Sequence, residues 1–97
     1  MTGRYALSPR AQDDVDDIWE HTVTRWGIDQ AELYIGQLWQ NIEAVARKPT
    51  NGRACPEVRA GYYKYRSASH YLFYRPIDGG IDIVRILHER MDFPQHL

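Results

Sequence analysis

A chain of 97 residues and 11.4 kDa has room for one domain, taken here as residues 1–97, and should bury roughly 60–65% of its unfolded surface in a single core. Its 43% hydrophobic and 26% charged content is that of a globular protein, not a disordered or membrane one; no run approaches the ~18–20 apolar residues of a bilayer span, MTGRYALSPR lacks an apolar signal core, and a cytoplasmic location is expected. The single Cys55 cannot form an internal disulfide, and the net charge of −1 hides an acidic first half (eight acids, three bases in residues 1–46) and a basic second half (nine bases, five acids in residues 47–97) that would draw an anionic partner to one side.

Arg4 to Ser8 alternates as a short first strand. Ser8 is a good N-cap and Pro9 suits the first helical position, with aspartates at 13, 14, 16 and 17 near the positive end of the helix dipole. Ala11, Val15, Ile18, Thr22 and Trp26 recur at helical spacing, widened by Trp19 and Val23, and Gly27 is expected to close the helix as a left-handed cap. Asp29 then reads as the N-cap of a second helix, Glu32 completing a capping box and Ile28 and Leu33 a hydrophobic staple. Its stripe runs from Ala31 through Leu38, Trp39 and Ile42 to Ala46, and Pro49 forbids helix past Lys48. So short a connection makes the two helices an antiparallel hairpin.

Pro49 to Pro56 reads as loop and Glu57-Val58-Arg59 as a short strand. Tyr62 to Arg66 alternates, with Tyr62, Lys64 and Arg66 on one side and Tyr63 and Tyr65 on the other. After a tight connection at Ser67-Ala68-Ser69, His70 to Arg75 and Ile81 to Leu87 form a hairpin around Pro76 to Gly80, its last strand central in the sheet and delivering His88, Glu89 and Arg90 to the sheet's end. The predicted fold is α+β: an N-terminal strand, then an antiparallel two-helix hairpin packed on a C-terminal antiparallel sheet of three to four strands.

The histidines at 21, 70, 88 and 96 lack zinc-site spacing, and no phosphate loop or nucleophile motif is present, so no metal or cofactor is expected. Acid–base RNA cleavage needs fewer parts: His70, His88, Glu57 and Glu89 are candidate base and acid, and Arg59, Lys64, Arg66, Arg75 and Arg85 candidate phosphate ligands. The competing account makes each histidine a half-buried strand residue and each arginine the partner of a helix carboxylate. The same basic and aromatic sheet residues (Arg59, Tyr62, Lys64, Arg66, Tyr71, Tyr74, Arg75) suit a nucleic acid or a protein interface; the slightly acidic chain favours a protein, and no direct nucleic-acid binding is expected. Trp19, Trp26 and Trp39 lie on the apolar stripes and are expected in the core. Arg85 interrupts Ile81, Ile83 and Leu87 on one face of the most apolar strand, and there it must pair with a carboxylate or reach a ligand.

The order and spacing of Tyr5-Ala6-Leu7-Ser8, Asp17-Ile18-Trp19, Arg25-Trp26-Gly27 with Tyr34, Arg59-Ala60-Gly61-Tyr62, Ser69-His70 with Phe73-Tyr74-Arg75, and Val84-Arg85-Ile86-Leu87-His88 with Arg90-Met91-Asp92 is similar to the ParE branch of the RelE/ParE superfamily of type II toxins. The resemblance covers essentially the whole chain. It implies a non-enzymatic toxin that poisons DNA gyrase and forms a hetero-oligomer with a neutralising ParD-like antitoxin. It also assigns Arg59, Tyr62, Arg75, Arg85 and His88 to antitoxin binding, and Arg90, Met91 and Phe93 to the gyrase contact. The alternative within the superfamily is a RelE-like ribosome-dependent endoribonuclease, with His88 or Glu89 as base and Arg66 and Arg85 as phosphate clamps. Tyr71 stands where RelE-like members place an arginine, and Phe93 is the only aromatic after Arg90, which departs from that branch.

Overall fold

In the computed structural model, which describes residues 3–97, Ser8 is the N-cap and its hydroxyl accepts the Ala11 amide at 3.0 Å. The chain runs β1 (Arg4–Leu7), α1 (Pro9–Trp26), α2 (Ile28–Arg47), a 3₁₀ turn (Pro49–Asn51), β2 (Arg53–Ala54), β3 (Tyr63–Ser67), β4 (His70–Ile77), β5 (Gly80–His88) and one helical turn, α3 (Phe93–His96). The sheet has five strands in the order β1-β5-β4-β3-β2, antiparallel except where β1 lies parallel to β5. That last pairing enlarges the expected sheet: β1 joins it, β4 takes the middle, and β5 is interior between β1 and β4. Gly80 permits it, because a Cβ there would collide with the Arg4 carbonyl.

The helices cover one sheet face. Ala11, Val15 and Ile18 of α1 and Leu38, Ile42, Val45 and Ala46 of α2 pack on Leu72, Tyr74, Ile81, Ile83 and Ile86. The opposite face carries a smaller core, Cys55, Phe73 and Leu87, roofed by Val58, Tyr62, Phe93 and Leu97 from the 55–62 loop and the tail. Both faces are therefore buried in part, and the tail is a packed element.

Several local expectations change. Gly27 closes α1 as expected, its amide donating to the Val23 carbonyl at 2.9 Å, but its φ of 93° with ψ of 168° is a positive-φ conformation outside the left-handed helical region. Helix α2 begins at Ile28 with Gly27 as its N-cap and no side-chain cap bond, so Asp29 falls inside its first turn instead of capping it. The expected staple is absent, with Ile28 58% and Leu33 65% exposed. The short strand lies at Arg53-Ala54, paired with Lys64 and Tyr63, while residues 57–59 form a turn whose Val58 and Arg59 amides both bond the Cys55 carbonyl. The β4–β5 turn is only Asp78-Gly79, since Pro76 and Ile77 still pair with Ile81 and Gly80.

The tryptophans divide. Trp39 is half-buried against the core and meets Tyr5 in a tilted contact with ring centroids 6.1 Å apart, but Trp19 is 37% and Trp26 67% exposed. Helical periodicity put all three near the stripe, but of the three only Trp39 packs against the core.

Candidate functional site

The central feature is a bulge. Opposite Phe73 and Tyr74, β5 carries one extra residue, so Arg85 faces Phe73 while Ile83 faces Tyr74. The alternation changes phase there: Ile81, Ile83 and Ile86 join the helix-side core, and Leu87 joins the opposite one rather than sharing a face with Ile81 and Ile83. Strand β1 ends its pairing at Leu7–Ile83, and α1 supplies the acceptors and donors beyond it. The Ser8 hydroxyl donates to the Val84 carbonyl at 2.7 Å, and Asp14 Oδ2 accepts the Ile86 amide at 2.9 Å.

Arg85 closes this arrangement. Its Nε and Nη2 donate to the two Asp14 oxygens, each at 2.8 Å, and its Nη1 donates to the His96 carbonyl at 2.9 Å. The side chains are only 12% and 11% exposed, and the Asp14 hydrogen bond holds the guanidinium's pKa above its ordinary value. The requirement for a buried partner is met, and the partner is internal. Asp14 escaped notice as one of four clustered aspartates, although it falls three residues after Ala11 and four before Ile18, in phase with the buried stripe.

At the same end of the sheet, α1, the start of α2, and the tail enclose a cleft. Its inner compartment, about 290 Å³, lies among Ile18, Thr22, His70, Ile86 and Met91 with Asp14 and Asp17 on its wall. A wider outer compartment of about 750 Å³ is bordered by Arg25, Trp26, Gln30, Tyr34, Glu89 and Arg90. His21, Thr22, His70 and His88 line both, so the two are neighbours.

Three histidines thus gather where the sequence scattered them, and they are not equivalent. The Tyr34 hydroxyl accepts the Ser69 amide at 3.2 Å and is hydrogen-bonded to His70 Nδ1 at 2.6 Å. Burial, then the neighbouring His88, lowers the His70 pKa to about 4, so the ring is neutral at pH 7. His88 meets His70 edge-on at 5.1 Å, and its Nδ1 accepts the Arg90 amide at 3.1 Å. Arg66 pairs with Glu89 at the surface and Arg75 with Asp82 at 3.0 Å. Among the described residues no group of histidine, cysteine and carboxylate side chains is arranged to hold a metal ion.

The residues expected to bind an antitoxin therefore fall in three places. Arg59 lies over the Tyr62 ring at 5.8 Å, and Tyr62 and Arg75 border a shallow pocket beside Asp82 on the face away from the helices. Arg85 is held inside the fold, and His88 lines the cleft on the other face. The expected gyrase residues also separate. Arg90 and Met91 rim the cleft, whereas Phe93 packs edge-on against Phe73 at 4.8 Å and Tyr71 at 5.6 Å, with the Lys64 ammonium 6.0 Å from its ring. His21, Arg25 and Tyr34 border the cleft without having been singled out for a role; only the fold shows that they face the sheet's end.

Residues 5–93 match the family described as ParE toxin of type II toxin-antitoxin system, parDE. The chain is 50% identical over 98 residues to Toxin ParE1 of Mycobacterium tuberculosis (strain ATCC 25618 / H37Rv), covering 100% of both chains. It is 42% identical to Toxin ParE1 of Caulobacter vibrioides, covering 96% of each, and 33% identical to Toxin ParE of Escherichia coli, covering 96% of this chain and 91% of that one. A solved structure described as the chromosomal ParDE TA system from P. aeruginosa superposes with a TM-score of 0.76 at 18% identity, over 89% of this chain and 95% of that one, which is a likeness of fold.

Proposed function

The chain belongs to the ParE toxin family of type II toxin-antitoxin systems, and from that premise we propose that it arrests bacterial growth by binding and poisoning DNA gyrase, without catalysis of its own, until a ParD-like antitoxin binds it in a hetero-oligomer. The full-length match to Toxin ParE1 carries this reading. On it the protein acts in the cytoplasm, where gyrase and its DNA are.

The engagement of the candidate catalytic groups supports the choice over RNA cleavage. A phosphate clamp at Arg85 would have to break its pair with Asp14, and one at Arg66 its pair with Glu89. His88 Nδ1 already accepts a backbone amide, and neutral His70 is held by Tyr34. A base must reach the proton it removes and a cation must be free to meet charge that develops. For gyrase contact the reading narrows to Arg90 and Met91, with Phe93 holding the tail in place. For the antitoxin it retains Arg59, Tyr62 and Arg75 on one face and His88 on the other, with Arg85 as the framework between them.

The test is a pair of parallel assays on the purified chain: gyrase supercoiling with detection of cleaved DNA, and cleavage of messenger RNA on programmed ribosomes. Loss of supercoiling with accumulating cleaved DNA and intact RNA is the expected result. RNA cut on ribosomes with gyrase unaffected would overturn it.

A further inference from the structure

We propose that Asn51-Gly52 is a site of spontaneous covalent modification, at which Asn51 loses ammonia and becomes aspartate or isoaspartate, and that Tyr74 keeps this site closed in the native fold. The chain has two asparagines, Asn41 and Asn51. Asn41 lies within α2, is followed by the branched Ile42, and its side-chain nitrogen donates to the Ser67 hydroxyl at 2.8 Å. Asn51 is exposed, ends the 3₁₀ turn, and precedes a glycine, which puts no side chain in the way of ring closure. The fold itself requires that glycine: a Cβ at Gly52 would collide with the Tyr74 hydroxyl and come within 2.9 Å of the Lys64 carbonyl. Packing of the buried Tyr74 against the turn therefore creates the reactive dipeptide.

The reaction needs only water. The Gly52 backbone nitrogen gives up its proton and bonds to the Asn51 side-chain carbon Cγ, the Cγ–Nδ2 bond breaks, and the side-chain nitrogen leaves with that proton as ammonia. Water then opens the cyclic imide at either carbonyl. Attack at Cγ restores the ordinary backbone with an aspartate, while attack at the main-chain carbonyl leaves an isoaspartate, which lengthens the backbone by one carbon. In the native turn both sides of the reacting bond are held. The Asn51 amide donates to the Lys48 carbonyl at 2.9 Å, and Tyr74 Oη donates to the Pro49 carbonyl at 2.6 Å with Gly52 packed against it. Burial raises the Tyr74 pKa to about 12, so the hydroxyl keeps its proton, and with it this bond, at pH 8. Ring closure must therefore wait for residues 49–52 to open. The aspartyl product suits an exposed position. The isoaspartyl product sets its extra carbon beside Gly52, where there is no room for a Cβ, so it cannot re-form the turn that leads Arg53 and Ala54 into β2.

The experiment incubates the full-length chain at pH 8, native and unfolded in guanidinium chloride, and follows both asparagines by peptide mapping with mass spectrometry, which separates aspartyl from isoaspartyl forms by retention. Asn51 should convert at least about tenfold faster in the unfolded chain than in the native one, while Asn41 stays intact in the native chain. Tyr74→Phe removes the hydroxyl and should speed native conversion about three- to tenfold, with the unfolded rate unchanged. Ile42→Val, in the helix-side core, carries a similar cost in global stability and should leave the native rate within about twofold. Urea midpoints of the two variants establish that they are folded and matched. On refolding, aspartyl chains should enter the folded fraction and isoaspartyl chains should not. Equal rates in native and unfolded chains, or an Asn51 that survives unfolding unmodified, overturn the inference. Equal acceleration by Tyr74→Phe and Ile42→Val also overturns it, by assigning the protection to the fold as a whole and not to Tyr74.

Discussion

Arg85 and Asp14 lie 71 residues apart in sequence and meet through two hydrogen bonds of 2.8 Å that tie the first helix to the last strand. The pair does more than neutralise charge, because Asp14 also takes the Ile86 amide where β1 no longer reaches, and Arg85 holds the carbonyl of His96 in the tail. Helix, strand and tail are thereby registered to one another at the point where the cleft is built.

Removing one partner should accordingly cost more than an ordinary surface ion pair. Arg85→Ala leaves a nearly buried carboxylate, for which about 3–5 kcal/mol of stability is expected to be lost. Arg85→Lys cannot make the fork and should fall between. Asp14→Asn keeps an acceptor for the Ile86 amide and should cost less than Asp14→Ala. Urea denaturation of the four variants tests this; equal midpoints for Arg85→Ala and wild type would show the pair to be incidental.

The exposed tryptophans make a contrasting prediction. Trp26→Ala, at 67% exposure, should change stability by no more than about 0.5 kcal/mol, whereas Leu38→Ala, at a fully buried site, should cost about 2–5 kcal/mol. In acrylamide quenching, removing Trp26 should eliminate the most accessible part of the fluorescence. A large destabilisation by Trp26→Ala would mean that its ring is packed.

His70 sets a pH dependence. Its pKa falls from the ordinary 6.5 to about 4 on folding, chiefly through burial, so between those values the unfolded chain binds more protons than the native one. The histidine therefore favours the native state least in acid: stability should decline as pH drops below about 6.5 and this contribution should level off near pH 4, with a slope of at most about 1.4 kcal/mol per pH unit. Asp14, Glu89, His21 and His88 act on the same ring, so the comparison is with His70→Gln, which should flatten the urea midpoint across that window. An unchanged slope in the variant would remove His70 as the cause.

What the sequence made legible and what it hid follow from range. Ser8 and Pro9 mark the start of α1, Pro49 ends helix beyond Lys48, and Tyr63 and Tyr65 turn to the core by alternation, because each depends on neighbours a few residues away. The extra residue in β5 does not: nothing local to Val84 announces that Phe73 will face Arg85 and Tyr74 will face Ile83, and the phase of every later residue follows from it. The need for a buried partner was legible at Arg85, but the identity of Asp14 required the helix to be laid across the strand. The cleft was less legible still, since His21, His70 and His88 come from three elements that only the register His70–His88 and the hairpin bring together.

Cys55 offers a direct reading of whether the second core stays closed. The thiol is fully buried beneath the 55–62 loop and the tail, and burial first, then Glu57, pushes its pKa up, so little reactive thiolate forms and reagent cannot reach it. Iodoacetamide at pH 8 should modify the native chain far more slowly than the urea-unfolded chain. Phe93→Ala removes the ring that packs on Phe73 and Tyr71, and should speed modification through opening of the tail while leaving the helix-side core, and hence most of the far-ultraviolet dichroism, in place. Labelling that accelerates only in step with global unfolding in urea would mean instead that the two faces of the sheet open as one unit, with the tail as tightly coupled to the fold as β5 itself.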